Sequence, residues 1–134
     1  MQRRLTAILV ADVVGYSKLM GSDEAGTLRR LKEIRQTQID PVLAVHGGRI
    51  IKLMGDGAIV EFASVVDALD CAVMVQEGMA RDDANVVAGQ RLRFRIAVHL
   101  GDLMVDGDDV YGDGVNVAAR LEALAEPGGV VVSE

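Results

Sequence analysis

Arg49-Ile50-Ile51-Lys52-Leu53-Met54-Gly55-Asp56-Gly57-Ala58-Ile59-Val60-Glu61-Phe62 is the stretch that decides the fold. Two short apolar runs flank a Gly-Asp-Gly turn. The pattern predicts a β-hairpin with an acid at its tip and glycines supplying positive φ. Upstream, Thr6 to Val14 is apolar at nearly every position and too short for a typical helix. That is the pattern of a strand covered on both faces. Between strand and hairpin, Ser22-Asp23-Glu24 opens a helix, with Ser22 as N-cap and the acids at its positive end. Leu28, Leu31, Ile34 and Gln38 continue its stripe, Pro41 falls where a kink is expected, and Gly47-Gly48 closes it.

Downstream of the hairpin, Ser64 to about Met79 predicts a second helix and Arg81 to Gln90 a polar loop. Arg91 to Leu100 alternates as a strand does. Gly101 to Asp109 is turn-rich, a short hairpin or arm. Gly114 to Ala125 is a third helix stopped by Pro127-Gly128-Gly129, and Val130 to Val132 begins another strand. An antiparallel hairpin inside a βαβ frame points to a ferredoxin-like βαββαβ α+β sandwich, with helices on one face of the sheet. With no repeat and no linker, residues 1–134 fit one domain.

Half of the residues are hydrophobic but only 3% are aromatic, so the core must be built from Val, Leu, Ile, Ala and Met. The net charge of −6 argues against a general nucleic-acid binder, which needs clustered Lys and Arg. It leaves room for a nucleotide whose phosphates are bridged to carboxylates by metal ions. Cys71, the single cysteine, lies in an apolar run and reads as a small buried hydrophobe. No run approaches the ~20 apolar residues of a membrane span. Arg3-Arg4 followed by Leu5 to Val10 is short and meets Asp12, which suits a buried strand better than a signal peptide. The expected location is cytoplasmic, alone or as the cytoplasmic part of a larger protein.

Three residues stand out chemically, together with one helical pair. Asp12 ends an almost wholly apolar strand, a costly place for a carboxylate without a partner. Asp56 tips the hairpin, where an Asp-Gly turn is also common for its own sake. In a ferredoxin-like sheet the two are neighbours, and a pair of carboxylates suits Mg²⁺ together with substrate phosphates. Asn116 and Arg120, four apart, share one helix face. Arg120 suits phosphate recognition, or is simply a surface arginine lying along its helix. Lys52 is the only cation in its strand, and an outward-facing edge lysine reads equally well.

Ala11-Asp12-Val13-Val14-Gly15-Tyr16-Ser17, then Lys52-Leu53-Met54-Gly55-Asp56-Gly57, then Asp109-Val110-Tyr111-Gly112-Asp113-Gly114-Val115-Asn116-Val117-Ala118-Ala119-Arg120-Leu121 resemble the class III adenylyl and guanylyl cyclase catalytic domain. Each motif alone is weak; three in order over nearly the whole chain are specific. The resemblance implies Asp12 and Asp56 as ligands of two Mg²⁺ or Mn²⁺ ions, with the Val13 carbonyl assisting and Gly15 letting the triphosphate approach. It implies Lys52 and Asp109 as readers of the purine, Asn116 as the residue placing the ribose, and Arg120 as the cation at the α-phosphate. It also implies a head-to-tail homodimer, each site combining the aspartates of one chain with Lys52, Asp109, Asn116 and Arg120 of the other.

The Lys52–Asp109 pair suits ATP: a donor for ring N1 and an acceptor for the 6-amino group. Guanine satisfies the same pair in another register, so a guanylyl cyclase stays open, as does a catalytically silent nucleotide-binding module. A palm-like diguanylate cyclase or polymerase is disfavoured, because the hairpin reads Met54-Gly55-Asp56-Gly57 and no basic groove exists for a template. Family domains continue past the point matched by Glu134. The expectation is therefore a C-terminally truncated domain from a longer protein, with regulatory domains elsewhere in the parent.

Overall fold

A computed structural model describes residues 2–86, 91–107 and 109–133. Strand β1 (Gln2–Val13) leads into a short helix α1 (Tyr16–Ser22) and then α2 (Glu24–Ile34). A π-helical turn, Arg35–Ile39, joins α2 to α3 (Asp40–Val45). Strands β2 (Arg49–Met54) and β3 (Gly57–Phe62) form the hairpin, and α4 (Val65–Asp83) follows. Then come β4 (Phe94–Asp106), β5 (Asp109–Tyr111), α5 (Asp113–Ala123) and β6 (Val130–Val132).

The strands run β2-β3-β1-β4-β5 across one sheet, with β6 parallel to β4 beside its first half. The antiparallel core β2-β3-β1-β4 is the ferredoxin-like order that the sequence predicts. The sheet curls so far that β5 comes up against β2. Alternation along β1 sorts its residues. Ala7, Leu9 and Val13 face α2–α4 and pack with Phe62, Cys71, Ala72, Val75 and Val98. Ile8 and Val10 face the other way and pack with Ile59, Leu103 and Ala118 of α5.

That second cluster corrects one expectation: the helices do not share a face. α5 crosses to the opposite side and docks on β4 and β1. The contact is glycine on glycine. A Cβ on Gly101 would lie 2.9 Å from the Cα of Gly114, and one on Gly114 would meet the Asp102 oxygen at 2.5 Å. Gly101 is therefore no strand terminator. It allows close approach of a helix, and β4 runs straight through it to Asp106.

Smaller corrections have local causes. Ser22 closes α1, so the cap of α2 is Asp23, whose carboxylate accepts from Gly26 N at 3.0 Å. Pro41 sits in the first turn of α3, and the helix widens into the π turn just before it, a proline effect on the preceding backbone. α4 outlasts its expected end because Asp82 and Asp83 are held by Arg30 (2.6 Å) and Arg93 (3.5 Å). Of the expected 81–90 loop, residues 87–90 lie outside the described residues, as does Asp108 in the arm. Cys71 is 1% exposed, and burial pushes its thiol up to about 11, which makes it an inert core side chain. Among the described residues no helix is long and apolar enough to cross a membrane.

Candidate active site

Pairing of β1 with β3 sets the first half of the site. Asp12 is in register with Gly57, and Val13 N donates to the Asp56 carbonyl at 2.7 Å. The glycines of the turn serve a different purpose from the one expected. Neither Gly55 nor Gly57 has positive φ. A Cβ on Gly57 would stand 2.4 Å from the Ala11 carbonyl oxygen, so only glycine lets the hairpin close against Asp12. Gly15, by contrast, takes φ +65 as N-cap of α1 and turns the chain sharply after the strand.

By alternation Asp12 points to the α5 side of the sheet, with Ile8 and Val10. Its Oδ1 is buried and has no hydrogen-bond partner. Two residues that the sequence reading passed over meet it there. Arg95 is its register partner on β4, and its Nε also donates to the Ala125 carbonyl at 3.0 Å. Glu122, 7% exposed on the sheet side of α5, completes the group. Burial first, then the close approach of the Asp12 carboxylate and the charges of Asp12 and Asp56, push the Glu122 carboxyl up to about 8 against the opposing pull of Arg95. Burial leads that shift, and the nearby Asp12 and Asp56 carboxylates add a local excess of negative charge to it.

This excess is what a cation would relieve. Among the described residues no three or more His, Cys, Asp or Glu side chains form a ready metal cage. Asp12 and Asp56 supply hard oxygen donors, and the orphaned Asp12 Oδ1 is one that a bound ion would satisfy. A two-carboxylate set of this kind fits Mg²⁺ or Mn²⁺ completed by substrate phosphates and water.

The other expected residues lie elsewhere on the chain. Asn116 and Arg120 are exposed on α5, on the side away from Ala118 and Glu122, which face the sheet. Lys52 is half-buried on β2 just after a bulge between Ile50 and Lys52. Asp109 is exposed at the start of β5, the strand that the curl of the sheet brings to β2. One chain thus groups Asp12 with Asp56, and presents Asn116 and Arg120 outward.

A curled ferredoxin-like sheet with paired aspartates at one end and a helix crossing its far face is the architecture of the nucleotide cyclase catalytic domain. The sequence profile of the adenylate and guanylate cyclase catalytic domain matches residues 2–134, and the chain belongs to that family. It is 47% identical over 133 residues to a Rhizobium meliloti (strain 1021) protein provisionally named adenylate cyclase 3, covering 99% of this chain and 23% of that protein. It is 31% identical over 130 residues to an adenylate cyclase of Streptomyces coelicolor, covering 97% of this chain and 32% of the relative. The chain therefore spans about a quarter to a third of these relatives' lengths. The crystal structure of an adenylate/guanylate cyclase/hydrolase from Silicibacter pomeroyi is 44% identical, with a TM-score of 0.88, and the match covers 99% of this chain and 77% of that one.

Proposed function

We propose that residues 1–134 act as the catalytic domain of an adenylate cyclase, converting ATP to 3′,5′-cyclic AMP and pyrophosphate at two equivalent sites of a homodimer. The observation that carries this reading is the junction of β1 with the β2–β3 turn, where a buried, unpartnered Asp12 oxygen adjoins Asp56. In the reaction the ribose 3′-oxygen bonds to the α-phosphorus, the bond from that phosphorus to the bridging oxygen of the β-phosphate breaks, pyrophosphate leaves with that oxygen, and the hydroxyl proton passes to solvent.

Asp12 and Asp56 would hold two Mg²⁺ or Mn²⁺ ions, which when bound would lower the pKa of the attacking hydroxyl and neutralise phosphate oxygens. Lys52 donates to adenine N1 and Asp109 accepts from the 6-amino group. Asn116 places the ribose. Arg120 adds positive charge where negative charge builds on the α-phosphate, a role in which arginine contributes about 10³–10⁵ in rate. The outward display of Asn116 and Arg120, on the side of α5 that does not face the sheet, supports a second chain as the partner that receives them.

The test is product identification with Mg²⁺ or Mn²⁺ and either ATP or GTP, with Asp56→Ala as control. Cyclic AMP from the wild type and none from the variant is the expected result. Faster turnover of GTP would move the assignment to guanylate cyclase. No product from a folded dimer would favour a silent nucleotide-binding module.

A further inference from the structure

A cavity of about 260 Å³ lies between the sheet and the α2–α3 segment, on the face opposite Asp12. Its floor is deep in the core: Leu9, Cys71 and Val75 line it and are 5%, 1% and 6% exposed. Its mouth opens beside Leu28 and Leu53, both about half exposed. Well-packed interiors hold few voids larger than a water molecule. Water fills this one poorly, since an ordered water needs two to four polar partners and the lining inside the charged rim is apolar.

Two backbone irregularities border the same space. On the helix side, the π-helical turn contributes Arg35 and Ile39 to the lining. On the sheet side, the β2 bulge follows Ile50, which also lines it. π turns and bulges are frequent beside functional sites, and here Pro41 helps to set the π turn.

We propose that this cavity is a binding site for a small anionic amphiphile with an apolar chain of about ten carbons. The size follows from scale: an apolar cavity of about 150 Å³ accepts benzene, so 260 Å³ accommodates roughly ten carbons. The charge follows from the rim. Arg35 and Asp40 pair with each other at 3.6 Å. Asp56 belongs to the proposed metal site. Lys32, exposed at the mouth, is left to engage an anionic head. Gly55, Asp56 and Gly57 form part of the wall, so an occupant meets the turn that carries Asp56 from behind. That contact is the route by which such a ligand regulates the domain. The binding claim itself does not depend on which nucleotide is cyclised, or on whether any is.

The test is calorimetric titration of the chain with decanoate below its micelle-forming concentration, and with decan-1-ol, read as affinity and stoichiometry. Circular dichroism checks the fold of each variant. Saturable one-to-one binding of decanoate to the wild type is expected. Lys32→Glu, at an exposed position, should weaken decanoate at least fivefold and leave decan-1-ol unchanged. Cys71→Met, which grows a side chain into the floor, should weaken both at least tenfold. No saturable binding to the folded wild type overturns the proposal. So does binding that Lys32→Glu leaves intact, because the anionic head would then have no partner in the rim.

Discussion

The β2–β3 turn and the outer face of α5 differ in how much of their environment one chain supplies. At the turn, Asp56 is locked to β1 by the bond from Val13 N, Asp12 is half-buried, and Arg95 and Glu122 close around it. On α5, Asn116 and Arg120 stand in the open although the same helix buries Ala118 and Glu122 on its other side. The first region is pre-organised and electrostatically unsatisfied. The second is presented and structurally idle. In the proposed homodimer, the guanidinium that this helix displays would serve the partner chain's site.

The most severe way to break this contrast is to remove both halves separately. Asp56→Ala and Arg120→Ala should each lower cyclase turnover by about a thousandfold or more, with little change in melting temperature for the exposed Arg120. Mixed in equal amounts, the two inactive variants should recover about a quarter of wild-type activity, because half of the dimers then hold one intact site of two. A mixture that stays dead would place both residues in one chain's site. Lys52→Glu should act less severely, lowering kcat/KM for ATP about tenfold to a hundredfold while sparing the fold, as steady-state assays with ATP and GTP would show.

The smallest effect concerns the proton at Glu122. Its carboxyl is raised from 4.5 to about 8 in the folded chain. Below about pH 4.5 it is protonated whether folded or not. As pH rises from 4.5 towards 8 the unfolded chain ionises while the folded chain keeps its proton, so metal-free stability falls across that window and levels off above it. Glu122→Gln should flatten this slope, with its largest relative gain in melting temperature near pH 8. A slope that persists in the variant would assign it to other groups.

Much of this was legible in the sequence. Near-continuous apolar runs located β1, β2 and β3, alternation located β4, and the Gly-Asp-Gly turn put Asp56 at the tip of the hairpin. What escaped were features whose cause is tertiary. Gly101 looked like the end of a strand because its purpose, room for the Gly114 backbone, involves a partner thirteen positions away. The side of the sheet chosen by α5 was hidden because Val115, Val117, Ala118 and Leu121 make both of its flanks apolar. Glu122 looked like an ordinary acid on a helix. The one signal for it was its i,i+4 relation to Ala118, which puts it on the packed side once that side is known. Arg95 was masked by alternation, between Phe94 and Ile96, until the β1–β4 register set it against Asp12.

The glycine pair under α5 has a consequence for how the domain tolerates change. Arg120 lies six residues beyond Gly114, roughly 9 Å along the helix at 1.5 Å per residue. A tilt forced at Gly114 by one added methyl is therefore delivered to the guanidinium as a lever delivers a small turn at its pivot. The Asp12–Asp56 backbone, built on β1 and the hairpin, would stay where it is, while Glu122 would move with the helix. Saturation mutagenesis scored for turnover should thus show Gly101 and Gly114 as intolerant as the acidic residues themselves, while a screen for folded protein alone would pass some of the same variants.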